Sequence, residues 1–147
     1  MEISKTFTQE FRGYWRDINK KDIPKKPGIY FVYVGTYHPL EEALSIDKLI
    51  YIGEADDVNH RLNEKHEKRE FWLPHVKKGN ELCFGFTEVT ELEYKSRIEA
   101  AYIHYHKPKE NTENVDYFRH YETTVITNTD KKQTKLNLKF TVYRKEK

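Results

Sequence analysis

Residues 28–34, Gly-Ile-Tyr-Phe-Val-Tyr-Val, form an almost unbroken apolar and aromatic run that opens on a glycine. A strand with this composition has to be covered on both faces, so it belongs inside a sheet and not at its rim. A second stretch, residues 48–62, adds a direction to the chain. Its apolar strand, Leu49 to Ile52, stops at Gly53, and two candidate N-caps follow, Asp56 and Asp57. A helix then carries Val58 and Leu62 at i, i+4. A strand, a glycine and a helix in that order bring Tyr51, at the strand end, toward Arg61 in the helix.

The rest of the chain divides around these two strands. The spacing of Phe7, Phe11, Tyr14, Trp15 and Ile18 predicts a helix over residues 7–18, with Thr6 and Gln9 as its capping box. Pro24 and Pro27 break the linker after it. Residues 35–47 join the two tyrosine strands, and Leu40, Ala43 and Leu44 suit a turn or two of helix there. Phe71 to Val76 reads as a short helix, and residues 81–89 as a third strand with Leu82, Phe84 and Phe86 on one face. Thr90 and Glu93 cap a helix that ends at Pro108, with Ile98, Ala101, Tyr102 and Tyr105 as its apolar side. Two Thr/Val/Tyr-rich segments, about 117–127 and 135–144, read as a β-hairpin turning at Asn128-Thr129-Asp130.

With 147 residues the chain suits one domain, spanning 1–147. Its fold class is expected to be α+β: a small three-stranded, mainly antiparallel sheet flanked by helices, with an added C-terminal β-hairpin. No run approaches the roughly 18 apolar residues of a membrane span. The opening Met-Glu-Ile-Ser-Lys-Thr-Phe has no apolar h-region, so a cytoplasmic setting is expected. A single cysteine, Cys83, excludes an internal disulfide or a cysteine-built zinc cluster. The formal charge of +2 is unevenly spread: residues 128–147 carry a balance of +5, which leaves the remainder at −3. Such a basic tail attracts phosphate backbone, although lysines also protect a solvated edge hairpin.

Gly28-Ile29-Tyr30, Tyr51-Ile52-Gly53, Arg61, and Glu99 within Arg-Ile-Glu-Ala-Ala-Tyr-Ile follow one another in an order that resembles the GIY-YIG nuclease family. Pro108 lies nine residues after Glu99 and Asn111 twelve, the spacing found in that family. The resemblance covers about residues 27–111. It implies a metal-dependent DNA endonuclease in which water attacks phosphorus, leaving a 5′-phosphate and a 3′-hydroxyl. By the same resemblance, Tyr51 with Tyr30 positions or deprotonates the water and Arg61 holds phosphate. Glu99 anchors Mg²⁺, for which Mn²⁺ is expected to substitute, and Asn111 orients substrate or braces the glutamate. His66 joins the candidates because some members carry a histidine shortly after the arginine; here it lies five residues on, one step past a helical i+4 partner.

The residue types suit the chemistry. A single carboxylate is an adequate anchor for Mg²⁺, which keeps most of its waters. A guanidinium offers phosphate a fixed fork. Tyrosine is an unusual base, since its ordinary pKa is about 10. Each residue also has a plain structural role open to it: strand packing for the tyrosines, a surface position for Arg61, an ion pair with Lys95 for Glu99, a turn for Asn111. Two features depart from the family. The 20 residues between Tyr30 and Tyr51 make a longer connection than usual, and Glu54 stands where repair-type members often carry lysine. The alternative function is therefore a nucleic-acid-binding module on the same fold that does not cut, and a more distant one is a protein-interaction domain. DNA is the expected partner, no membrane is expected, and targeting would fall to a homodimer or a partner subunit.

Overall fold

The first element of the computed structural model, which describes residues 3–146, is a strand where the spacing predicts a helix. β1 covers Lys5–Arg16. Phe7, Gln9 and Phe11 are buried, and Thr6, Thr8 and Glu10 between them are not, which is the period-2 alternation of a strand. A separation of four residues, Phe7 to Phe11, fits both a helix face and a strand face, and the polar Gln9 hides the alternation. Its buried amide donates to Thr87 Oγ1 and to the Glu88 carbonyl, each at 3.0 Å.

A 3₁₀ turn, Asp17–Asp22, leads to β2, Gly28–His38, and β3, Ala43–Ala55. The long connection expected to hold a helical turn is instead an extension of both strands, closed by residues 39–42. α1 (Val58–Asn63) follows, capped by Asp57, whose carboxylate accepts from the His60 N–H at 3.0 Å. α2 is the single turn Arg69–Trp72, and a 3₁₀ turn, Leu73–His75, continues it. β4 (Glu81–Glu88) and α3 (Lys95–His106) come next. Tyr94, not Thr90, stands at the N-cap of α3, and Lys107 in the left-handed region ends the helix before Pro108. β5 (Thr123–Asn128) and β6 (Lys139–Val142) complete the chain.

The six strands form one curled, mixed sheet in the order β3-β2-β4-β1-β5-β6. The β1–β5 pair is parallel and the other neighbours are antiparallel. This corrects the expected fold class. The sheet is not a small three-stranded antiparallel one flanked by helices, because the predicted N-terminal helix is a strand that carries the sheet onward to β5 and β6. The C-terminal hairpin exists, with strands shorter than predicted, but it is the far side of the main sheet and not an addition to it. β2 is buried from Gly28 to Gly35, as its composition requires. On one face α3 lies over Ile29, Phe31, Ile52 and Val125; on the other Tyr30, Val32, Ile50 and Phe84 pack under Val58, Leu62 and Trp72. No helix among the described residues is long and apolar enough to cross a membrane.

Candidate active site

Tyr30 pairs with Gly53, and Val32 with Tyr51, across β2 and β3. Directly opposed residues of an antiparallel pair point the same way, so both phenols rise from the same face. Gly53 is obligatory there: a Cβ built on it would stand 2.3 Å from Tyr30 Cζ and Oη. Gly28 is crowded in the same sense, with the Thr87 carbonyl oxygen 2.2 Å from any added Cβ. Both motif glycines therefore exist for close approach: Tyr30 lies across Gly53, and Gly28 makes room for β4.

His66 completes this group from the turn after α1. Its Nε2 lies 2.8 Å from Tyr30 Oη, and its ring packs at 4.5 Å on Trp72, which itself packs on Tyr51 at 5.3 Å. The Lys68 N–H donates to Nδ1 at 3.0 Å. Burial, and then the Arg61 charge, lower the imidazole pKa to about 4, so the neutral ring carries its proton on Nε2 and donates it to Tyr30. The extra residue between Arg61 and His66 is harmless because α1 ends at Asn63 and a turn, not a helix, presents the histidine.

Arg61 Nη2 donates to Glu67 Oε1 at 2.6 Å, and this bond holds the Glu67 pKa down at about 2. Arg61 also lowers the pKa of both phenols, but burial outweighs it and raises them above the ordinary value.

From the opposite face comes Glu99 on α3. β3 is an edge strand, and its outward backbone groups are satisfied one by one. The Ile50 carbonyl accepts from the Glu110 N–H at 3.0 Å. Ile52 donates to Asn111 Oδ1 at 2.9 Å and accepts from Asn111 Nδ2 at 2.8 Å. The Glu54 N–H bonds the Glu99 carboxylate. Asn111 thus spends its amide on the edge of β3, bracing the strand that bears Tyr51. Burial, followed by the charges of Glu54 and Glu113, raises the Glu99 pKa to about 7. Glu54 itself turns toward α3, where Lys95 Nζ (2.8 Å) and Ser96 Oγ (2.9 Å) donate to it. Its charge is thereby paired, and Lys95 serves Glu54 and Asp56, not Glu99.

A polar cleft of about 290 Å³ opens at this edge, with Tyr51, Glu67, Glu99, Asn111 and Glu113 among its walls. A larger hollow of about 570 Å³, by Tyr14 and Tyr37, lies at the far end of the β2–β3 ribbon and contains none of the candidate residues. Tyr30, Tyr51, Arg61, His66, Glu99 and Asn111 all converge on the cleft end of β3. Glu67, Trp72 and Glu113 join them without having been singled out in the sequence; adjacency to His66 and to Asn111 was the signal for the two glutamates. Among the described residues no group of three or more His, Cys, Asp or Glu forms a ready metal cage. Comparisons with protein-family models, curated proteins and solved structures return no match.

Proposed function

We propose that this chain is a metal-dependent DNA endonuclease of GIY-YIG type that hydrolyses phosphodiester bonds by in-line attack of water. The observation that carries the reading is the meeting of two strand tyrosines, His66, Arg61 and Glu99 at one strand edge, each delivered by a different segment. Tyr51 lines the cleft and would meet the attacking water. Tyr30, 2 % exposed and bonded to His66, stands behind it as the positioning partner. Arg61 supplies a cation whose charge acts on both phenols and would exchange Glu67 for a phosphate oxygen.

Carboxylate oxygens suit Mg²⁺ or Mn²⁺, and the Glu99 carboxyl, destabilised by burial and by Glu54 and Glu113, is the kind of group a divalent cation relieves. Glu99, with Glu113 across the cleft, would hold it. Bound there, the ion would polarise the phosphate and offset the charge that develops on it. The Glu99 charge is one cause of the raised Tyr51 pKa, so offsetting it also eases proton loss from Tyr51.

A second reading, a binding module that does not cut, is favoured by the Arg61–Glu67 pair, which occupies the phosphate ligand. The deciding assay uses supercoiled plasmid and branched DNA with Mg²⁺, with Mn²⁺ and with EDTA. Metal-dependent cleavage that vanishes in Glu99→Ala and Tyr51→Phe is expected. A wild type that binds DNA yet cuts none of these substrates would leave only the second reading.

A further inference from the structure

A groove of about 500 Å³ runs between the end of α3 and the segment leaving β6, away from the cleft. Lys107, Arg144, Lys145 and His104 line it, together with Tyr105 and Tyr143, and among the described residues no carboxylate does. The two tyrosines are 42 % and 63 % exposed. Tyr105 is not loose. Its ring stacks on buried Phe140 at 4.7 Å and 22°, and its hydroxyl accepts from Asn137 Nδ2 at 2.8 Å. What the stack leaves uncovered is a fixed aromatic surface among cations. Lys107 donates to the Val115 carbonyl, which fixes its ammonium, and Arg144 pairs with Glu146 at 3.1 Å, a partner that phosphate would displace. Lys145 has no ion pair among the described residues.

We propose that this groove binds single-stranded nucleic acid, with bases stacked on Tyr105 and Tyr143 and phosphates on Lys107, Arg144 and Lys145. Aromatic platforms serve unpaired bases, whose faces are open, whereas a duplex offers only its backbone to such a surface. Pre-ordering Tyr105 on Phe140 removes part of the entropy cost of stacking. Along α3, Tyr105 lies six residues beyond Glu99, roughly 9 Å along the axis and about 120° round the helix. A strand that reaches from the groove to the cleft therefore also passes round α3. Under the nuclease reading, on which this consequence rests, the substrate carries an unpaired stretch beside the scissile bond.

The test is fluorescence anisotropy on the full chain in EDTA, with a labelled oligothymidylate and a labelled duplex of the same length. Wild type should bind the single strand at least about tenfold more tightly, and Tyr143→Ala should remove about that factor on the single strand alone. Tyr143 is exposed and packs on no other ring among the described residues, so this variant keeps its fold; Tyr105→Leu, checked by circular dichroism, is the second. Lys145→Ala should reduce the salt slope of single-strand binding by about one. Equal affinity for the two DNAs, no binding of either, or an unchanged Tyr143→Ala would overturn the proposal. Plasmid cleavage with Tyr143→Ala binding unchanged would remove the groove and keep the nuclease. Tyr143-dependent binding in a protein that cuts nothing would do the reverse.

Discussion

A single added methyl group at Gly53 would collide with the Tyr30 phenol, the far end of a side chain that is itself buried and bonded to His66. Gly53→Ala should cost about 1–3 kcal/mol, the range for overpacking, and break the Tyr30–His66 bond. A lower urea midpoint together with a shifted His66 ring resonance would show it. Glu99 and His66 respond to pH in opposite directions. With its pKa raised from 4.5 to about 7, Glu99 adds stability that is complete below 4.5 and lost as pH rises through 7. His66, lowered from 6.5 to about 4, adds stability that is complete above 6.5 and lost as pH falls through 4. Relative to wild type, Glu99→Gln should therefore gain stability as pH rises from 4.5 to 7, and His66→Gln as it falls from 6.5 to 4. Thermal midpoints across that range check both signs, and Mg²⁺ should stabilise wild type but not Glu99→Gln. The motif residues were legible because order and spacing carry them. Arg97 was not: a guanidinium 3 % exposed, donating to Thr123 Oγ1 at 2.8 Å and to the Ile3 carbonyl at 2.7 Å, looks in the sequence like any surface cation.

Elements are where reading and structure part. β2, β3 and β4 were legible because continuous or alternating apolar runs admit few other forms. β1 was not, since four-residue spacings serve helix and strand alike and a buried Gln9 interrupts the pattern. The helical turn expected at Leu40, Ala43 and Leu44 failed for a related reason: paired strands satisfy that backbone, and Leu40 simply lies in the exposed turn. At the site, the element that matters is the outer edge of β3. Asn111→Ala removes both side-chain bonds to Ile52, at roughly 0.5–1.5 kcal/mol each. The Ile52 amide should then exchange with solvent much faster, while the amides of β4, in the sheet interior, keep their protection. Unchanged exchange at Ile52 would mean that Asn111 does not brace the strand. Under the proposed nuclease reading, cleavage should fall with it, through displacement of Tyr51.

At the scale of the molecule, one apolar cluster reaches from β1 through β2 and α3 to Phe118, Val125 and Phe140. Phe140→Ala, in the last strand, should cost about 3–5 kcal/mol. The loss should appear at the same denaturant concentration by tryptophan fluorescence, reporting Trp15 and Trp72 on the other face, and by far-ultraviolet circular dichroism. Two separate transitions would show that the hairpin melts alone. The sequence could not announce this unity, because the contact that creates it joins Lys5 to Thr123, residues 118 positions apart. That parallel seam also sets a timetable. As the polypeptide leaves the ribosome, β1 can pair with β4 early, but its other border has no neighbour until residues 123–128 emerge. Until then the nascent chain presents a bare strand flank, the feature most prone to stick to other chains. Sealing it falls to β5, which is made about a hundred residues after β1.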